Sequence, residues 1–495
     1  MSVEEKSREY TIFNPLHQQC RDCFEGEYLI HEKAEKYLPG LEGSDKDRNV
    51  KDSYDNYKRR ALFYNTFSRT VEFFKGLILR KGIEISNKDK FSNSLLKVND
   101  EDLTFDGFTS LVVEEILKVG YGGILVDHDE VPEGIVSIKE AKELDLKAKL
   151  KFYPAESIIH TRKNIRLLEE EYNDADEFDD TTVIQIRVLD LDDEGFYRQR
   201  IYRESEKDKK WYKFGDDIYP KINNQKMIEI PFYPCSSDKN SSVMSKPPLI
   251  DLSDVSIHHY NVYADYRNGV HYTGFPQLYI AGKVPDNKQF RLGSGTAWVL
   301  EESNASVKYA EFNGSGLLYP EHLLDRLEMY MSKLGARMLM AEKNRAESAE
   351  KANIDSESES ATLSVIAKNC SEALTKSLKM YLKWNGITVE TVVELNTDYQ
   401  FSQLDPAILI ALMKGVQAGL LTPEVFLYNV KKGELIPDEK TISQLIADIE
   451  KWEKKLRRKE LIQTNNALSE RNSSGLNDPE DLLRDESRNK TDYTV

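Results

Sequence analysis

Two amphipathic stretches, set about 45 residues apart, restrict this chain more than any other feature. The first runs from Asp251 to about Tyr272, with Leu252, Val255, His259, Val262 and Tyr266 at alternating three- and four-residue steps and Asp251 or Ser253 as its cap. The second runs from Pro320 to about Ala341, where Leu324, Leu327, Met331, Leu334 and Met338 keep a strict 3-4-3-4 spacing. Such spacing lines one helix face with apolar side chains and is the geometry of a narrow helix–helix seam. Between the two, residues 273–317 read as short strands (Gln277–Ala281, Ala297–Leu300, Val307–Phe312) with turns at Gly293-Ser294-Gly295 and Asn313-Gly314.

The first half of the chain alternates in period. Ser53 to Gly82 reads as one long helix, with Ala61, Tyr64, Phe67, Val71, Phe74 and Ile78 on one face and Lys81-Gly82 as a stop. A second helix spans Phe105 to about Lys118, with a stripe of Phe108, Leu111, Val112, Ile116 and Leu117. Gly120-Tyr121-Gly122-Gly123 follows that helix and precedes a strand, Ile124–His128. A dinucleotide site needs the reverse order, strand then glycines then helix, so the cluster reads as a helix stop and tight turn. From Lys151 to Pro231 a period of two predicts a β-meander: Ile184, Ile186 and Val188 alternate with Gln185 and Arg187, and Asp192-Asp193-Glu194-Gly195 turns the chain. Eight carboxylates between Glu169 and Asp180 read as a solvated hairpin tip; the glycine of a calcium loop is missing. Pro231 to Pro248 reads as a linker.

After the second rod comes a charged stretch, Glu342 to Lys351, then a helix from about Ala361 to Trp384 stopped by Asn385-Gly386, and strand-like Val389–Leu395. Beyond Asp405, Ile408, Leu409, Leu412, Val416 and Leu420 form one helical face. Thr422-Pro423 opens a short helix that Gly433 and Pro437 break, and a last helix ends in the basic run Lys451–Lys459. From about Gln463 the composition is that of a disordered tail.

Chemistry is hard to find. There is no Gly-x-Ser-x-Gly, no His-Glu-x-x-His around His258-His259 and no Walker phosphate loop. Cys20-x-x-Cys23 lacks the second half of a zinc site, so Cys20, Cys23, Cys235 and Cys370 are expected to be structural. No metal, cofactor or catalytic residue is expected. The N-terminus lacks a signal-peptide core and no run reaches the roughly 18 apolar residues of a membrane span, so a soluble protein made in a reducing cytoplasm is expected. At 495 residues and 40% hydrophobic content the chain has room for about three folded domains. A net charge of −17 argues against a tight grip on DNA, which needs Lys and Arg to displace counterions, yet suits a conduit that must not hold phosphates.

Particular wording adds to this. Tyr54-x-x-Tyr57-x-x-Arg60-Ala61, Phe63-Tyr64-Asn65, Arg69-Thr70-Val71 and Lys75-Gly76-Leu77-Ile78, with Tyr37-Leu38-Pro39-Gly40 upstream, resemble the N-terminal signature of tailed-bacteriophage portal proteins. Leu334-Gly335-Ala336-Arg337 and Glu347-Ser348-Ala349 match further along, and the order of elements resembles that family from Tyr37 to about Lys455. The resemblance implies an α+β chain. Residues 1–248 would be an α/β wing, 249–272 and 318–341 two stem helices, and 273–317 a small β-rich clip. A tunnel loop would span 342–357, the long helix and return strand 358–402, a helical crown 403–460 and a flexible tail 461–495. It implies a ring of about twelve copies at one capsid vertex, through which double-stranded DNA is packaged and ejected. The terminase large subunit, head-completion and tail adaptor proteins, and the major capsid and scaffolding proteins would be its partners, and the virion its location. Leu324, Leu327, Met331, Leu334 and Met338 would form the stem seam between neighbouring subunits. Lys343, Arg345 and Lys351 would touch DNA from the tunnel loop, with Glu342, Glu347 and Glu350 preventing a tight grip. Two rival classes share the lack of motifs: another virion structural protein, or a soluble enzyme with a scattered site.

Overall fold

The computed structural model describes residues 2–40, 48–128, 147–172, 182–205, 209–222, 224–239, 243–274, 277–281, 304, 306–310, 315–336, 349–397, 399, 406–418, 420–432, 442–452, 454–455 and 458. They fall in two units, Met1–Tyr399 and Gln400–Val495. Helix and sheet are mixed, giving an α+β chain with a helical C-terminal region.

The first unit opens with α1 (Arg8–Glu25), whose cap Ser7 accepts from the Tyr10 amide, and which ends at Gly26 with φ +89°. A short α2 (Glu27–Glu32) follows. The single helix expected over 53–82 is two: α3 (Arg48–Arg60) and α4 (Thr66–Leu79). Asn65 caps α4 by accepting from the Ser68 amide at 3.0 Å and donates to the Phe24 carbonyl, while the Phe63 amide donates to Glu27. The Phe63 amide thus finds its partner outside a helix and the Asn65 side chain starts a new one, so the apolar spacing continues across a real break. Phe67, Val71 and Ile78 are buried as expected, but Phe63 is buried and Tyr64 exposed in the break itself. Next come β1 (Glu84–Ile85) and α5 (Phe105–Val119), capped by Thr104 and stopped by Gly120 at φ +82°. Phe108, Val112, Ile116 and Leu117 are buried there, whereas Leu111 is exposed.

The glycines after that stop lie in a strand rather than a tight turn. β2 (Tyr121–His128) is the central strand of an antiparallel sheet, between β3 (Ala148–Pro154) and a later strand. A Cβ on Gly122 would meet the Phe152 ring at 2.5 Å, and one on Gly123 would run into the Phe232 ring. Absent side chains let flanking aromatics lie across the strand.

The meander follows as β4 (Ile158–His160), β5 (Ile165–Tyr172), β6 (Thr182–Leu191), β7 (Tyr197–Glu204) and β8 (Trp211–Ile218), hydrogen-bonded in that order. Asp192 turns the β6–β7 hairpin by accepting from the amides of Glu194 and Phe196. Strict alternation predicts polar residues outward, yet Gln185 and Arg187 are buried. Arg187 reaches Glu169 at 2.8 Å and Asp127 of β2 at 3.3 Å, tying meander to central sheet. Of the acidic hairpin tip, only Glu169–Glu171 fall among the described residues, in β5. A minimal ladder, β9 (Lys221–Ile222) and β10 (Gln225–Lys226), leads to β11 (Phe232–Ser236). The segment expected as a linker therefore contains the third strand of the central sheet. Pro234 hid it, but β11 lies at the edge, where a missing amide donor is tolerated.

The two rods are α6 (Ile250–Thr273) and α7 (Leu318–Met331). No side chain caps α6; the Ser253 amide bonds the Leu249 carbonyl. Between the rods, β12 (Gln277–Ala281) pairs antiparallel with β13 (Ser306–Ala310). The expected strand Ala297–Leu300 and both expected turns lie outside the described residues. α7 ends at Met331 and a wide turn, Ser332–Ala336, follows it, with Gly335 at φ +129°, beyond the reach of an ordinary side chain; residues 337–341 of the expected rod lie outside the described residues. The Thr70 and Phe74 side chains of α4 crowd Gly335.

A 36-residue helix, α8 (Ala349–Trp384), ends at Asn385 and Gly386 (φ +76°). It starts twelve residues before the expected Ala361, inside the stretch expected as a loop: a charged sequence is compatible with a solvated helix. Cys370, Leu374 and Leu378 of α8 belong to the same buried core as Ile124 and Leu125 of the central sheet. The return strand shrinks to β14 (Val393–Glu394), paired with β1. The strand and the residue after it are held by α8: the Val393 amide donates to Thr375 and the Leu395 amide to Ser371.

The second unit contains α9 (Pro406–Gln417) and α10 (Pro423–Lys432), plus helical backbone over 442–452. Leu427 and Val430 are buried in it; Gly433, Pro437 and the tail from Gln463 lie outside the described residues.

Candidate functional site

The rods are held in place from one side and left open on the other. Tyr57 of α3 donates to Asp265 of α6 at 2.6 Å, and Arg60 to Asn268 at 2.9 Å. From α1, Gln19 donates to Ser253 and Asp254, and Cys23 Sγ lies 3.2 Å from Ser253 Oγ. Burial raises both α1 thiols, Cys23 to about 12, which disfavours the thiolate.

Leu324, Leu327 and Met331 are buried within the chain, on the side of α7 that packs against α6. The Met331 thioether accepts from Thr66 at 3.3 Å and from Ser256 at 3.7 Å, and Gly269 of α6 lets Leu317 approach so closely that a Cβ would meet its Cδ2 at 2.6 Å. Leu334 lies in the wide turn, 37% exposed. Met338, Lys343 and Arg345 lie outside the described residues, and Lys351 falls on the α8 backbone.

With that narrow face covered, α7 retains further apolar side chains outside the 3-4-3-4 stripe. Tyr319, Leu323 and Tyr330, four and seven residues apart, share one exposed flank; Leu318 and Met329, eleven apart, share another. The repeats were readable, but a single best stripe concealed two weaker ones. The β12–β13 ribbon is similar. Leu278 pairs with Tyr309 and Ile280 with Val307 on one face, and Tyr309 and Val307 are exposed. A two-stranded ribbon is marginal by itself and gains most from a partner on its apolar face.

His259 lies between the rods. Its ring stacks on Tyr263 at 6.1 Å, lies 6.2 Å from Tyr64, and its Nε2 is 3.8 Å from Glu328. Burial pushes its pKa down to about 4, so it packs as a neutral ring. Among the described residues no group of three His, Cys, Asp or Glu could hold a metal, and no helix is long and apolar enough to cross a membrane.

Residues 248–385, which span both rods and all of α8, match a family described as a domain of unknown function, DUF4055. A comparison with curated proteins finds no match. Among solved structures the chain is similar to a component of the neck of an empty GTA particle computed with C6 symmetry (TM-score 0.41, 13% identity, 76% of this chain and 91% of that one). It is also similar to one from the neck of the native particle computed with C12 symmetry (TM-score 0.38, 11% identity, 75% and 91%). A third is from the virion of the native gene transfer agent particle (TM-score 0.39, 12% identity, 82% and 99%).

Proposed function

We propose that this chain is a virion structural protein, and more specifically the portal subunit of a phage-like particle. About twelve copies would form a ring at one capsid vertex. α6 and α7 would be its stem, the β12–β13 region its clip, the segment after Gly335 its tunnel loop and the second unit its crown. Double-stranded DNA would pass through the hole, driven by the terminase large subunit. Head-completion or tail adaptor proteins would dock afterwards, and the shell and scaffolding proteins would surround the ring. The role is geometric and needs no catalytic group.

One observation supports this reading above others: α7 exposes apolar flanks after its narrow face is covered by α6. Exposed tyrosine, leucine and methionine along one rod suit contact with a neighbouring copy. The test is native mass measurement and electron imaging of the purified chain. Rings of about a dozen subunits with a central hole are expected, and a monomer or dimer at micromolar concentration overturns the reading. Leu323→Glu with Tyr330→Glu, both at exposed positions, should shift rings to monomers while leaving the circular dichroism spectrum unchanged.

A further inference from the structure

On the outer face of the meander lies a cavity of about 550 Å³ that the stem argument does not use, a volume in the range of small-ligand sites. Strand register builds its floor. Arg166 pairs with Val188 and Val188 with Arg200, so three adjacent strands put these side chains on one face. Tyr202 is two residues on from Arg200, and Trp211 pairs with Glu204, which places both rings on that face as well. Four cations line the cavity, Arg166, Arg200, Lys209 and Lys210, against one carboxylate, Glu4, in a chain whose net charge is −17. Arg166 is only 8% exposed, yet its acceptors among the described residues are all neutral: the carbonyls of Ser2, Val3 and Glu5 through Nη1 and the Asn164 side chain through Nε. Glu4 bonds to the Ser2 side chain and its own amide instead, and Asp190 divides itself between Arg198 and Arg200. A buried guanidinium is normally matched by an anion, so this recess is short of negative charge.

At the rim, Lys209 and Lys210 are exposed and form no ion pair among the described residues. Lys209 holds a left-handed φ of +54°, which glycine or asparagine adopts at lower cost, and its amide bonds the Ser205 carbonyl. Strain held at a lysine beside a cationic recess points to a use for its ammonium group. We propose that this cavity binds a nucleotide, its phosphate among Arg166 and the two lysines and its base against the Trp211 indole. A phosphate monoester brings a charge of roughly −1.5 to −2 at neutral pH and three acceptor oxygens, which suits a guanidinium fork with ammonium groups beside it. An aromatic face stacks on any base, so Trp211 is the seat for the organic half of the ligand. A free nucleotide and a nucleic-acid strand share this chemistry. The site is complete in one chain and does not depend on the ring reading.

The test is calorimetric titration of the full chain at low salt with AMP, inorganic phosphate and a short thymidine oligonucleotide, with the thermal unfolding midpoint as a control. One AMP site per chain is expected, at least tenfold tighter than inorganic phosphate. Lys209→Gly with Lys210→Ala should weaken AMP at least tenfold without lowering the unfolding midpoint, since glycine suits the left-handed position. Trp211→Leu should weaken AMP about tenfold and leave inorganic phosphate unchanged. An oligonucleotide that binds more tightly than AMP assigns the site to a nucleic-acid strand, and the reverse order assigns it to a free nucleotide. Equal affinity for AMP and inorganic phosphate overturns the nucleotide. AMP binding that survives the loss of both lysines overturns the site, as does a wild-type chain that binds none of the three. Binding that appears only after Asp176→Asn with Glu177→Asn means that acidic residues of the chain already supply the anion, and it overturns the proposal too.

Discussion

His259 shows how one side chain can record the burial of the rods. Its pKa falls from an ordinary 6.5 to about 4 because burial penalises the imidazolium. Between those values the unfolded chain binds a proton that the native chain does not, so stability rises with pH through this window. The contribution is complete above about 6.5 and fades as the pH falls towards 4. Between pH 6.5 and 5 one such group removes about 2 kcal/mol, at about 1.4 kcal/mol per unit. His17, buried and bonded to the Ser245 carbonyl, is shifted down for the same reason and adds to the slope. Carboxylates depressed by cationic partners, such as Glu156 beside Arg21, matter only at lower pH. His259→Phe, which keeps the stacking on Tyr263, should therefore reduce the slope of unfolding free energy over pH 5–6.5 by about 1.4 kcal/mol per unit without abolishing it. Denaturant titrations at three pH values would show this, and an unchanged slope would mean that His259 is already protonated in the native protein.

At the scale of elements, periodicity was a good guide to faces and a poor guide to where helices begin and end. The residues that make one stripe from Ala61 to Ile78 are real, but Asn65 divides it, because its side chain serves both α4 and the Phe24 carbonyl. An Asn at the right place to cap is visible in a sequence; its second bond, forty residues back, is not. The same limit applies to the rods. The 3-4-3-4 spacing of Leu324, Leu327 and Met331 declares an apolar face, yet says nothing of whether a copy or the chain's own α6 covers it. β11 was illegible for a different reason, since Pro234 looks like linker composition unless the strand is known to be an edge. Gly122 and Gly123 look like turn residues in the sequence because the aromatic rings that need their missing side chains come from β3 and β11. Asn65→Ala removes one cap and one tertiary bond. It should destabilise the first unit by about 1–2 kcal/mol, and thermal unfolding should report the loss, whereas Asn65→Asp, which retains the cap, should recover most of it.

For the whole molecule, acidity and DNA traffic are compatible only if contacts along the path are few and weak. The chain carries 85 Asp and Glu against 68 Lys and Arg, so an averaged surface repels phosphate. Affinity for DNA scales with the number of phosphates neutralised, and each neutralised phosphate adds close to one unit to the salt slope. A conduit that must release DNA as readily as it admits it should therefore keep that number low. The proposed tunnel segment meets this requirement in its sequence: Lys343, Arg345 and Lys351 are matched in number by Glu342, Glu347 and Glu350. Replacing the three basic residues by Ala should leave rings intact. Retention should suffer instead: particles assembled with the triple variant should package shorter DNA or lose it more readily, read as genome length on pulsed-field gels. Purified wild-type rings should bind duplex DNA weakly, with a shallow salt dependence that becomes shallower still in the variant. Unchanged genome length together with an unchanged salt slope would remove these residues from the path of the DNA and leave a solvated segment in their place.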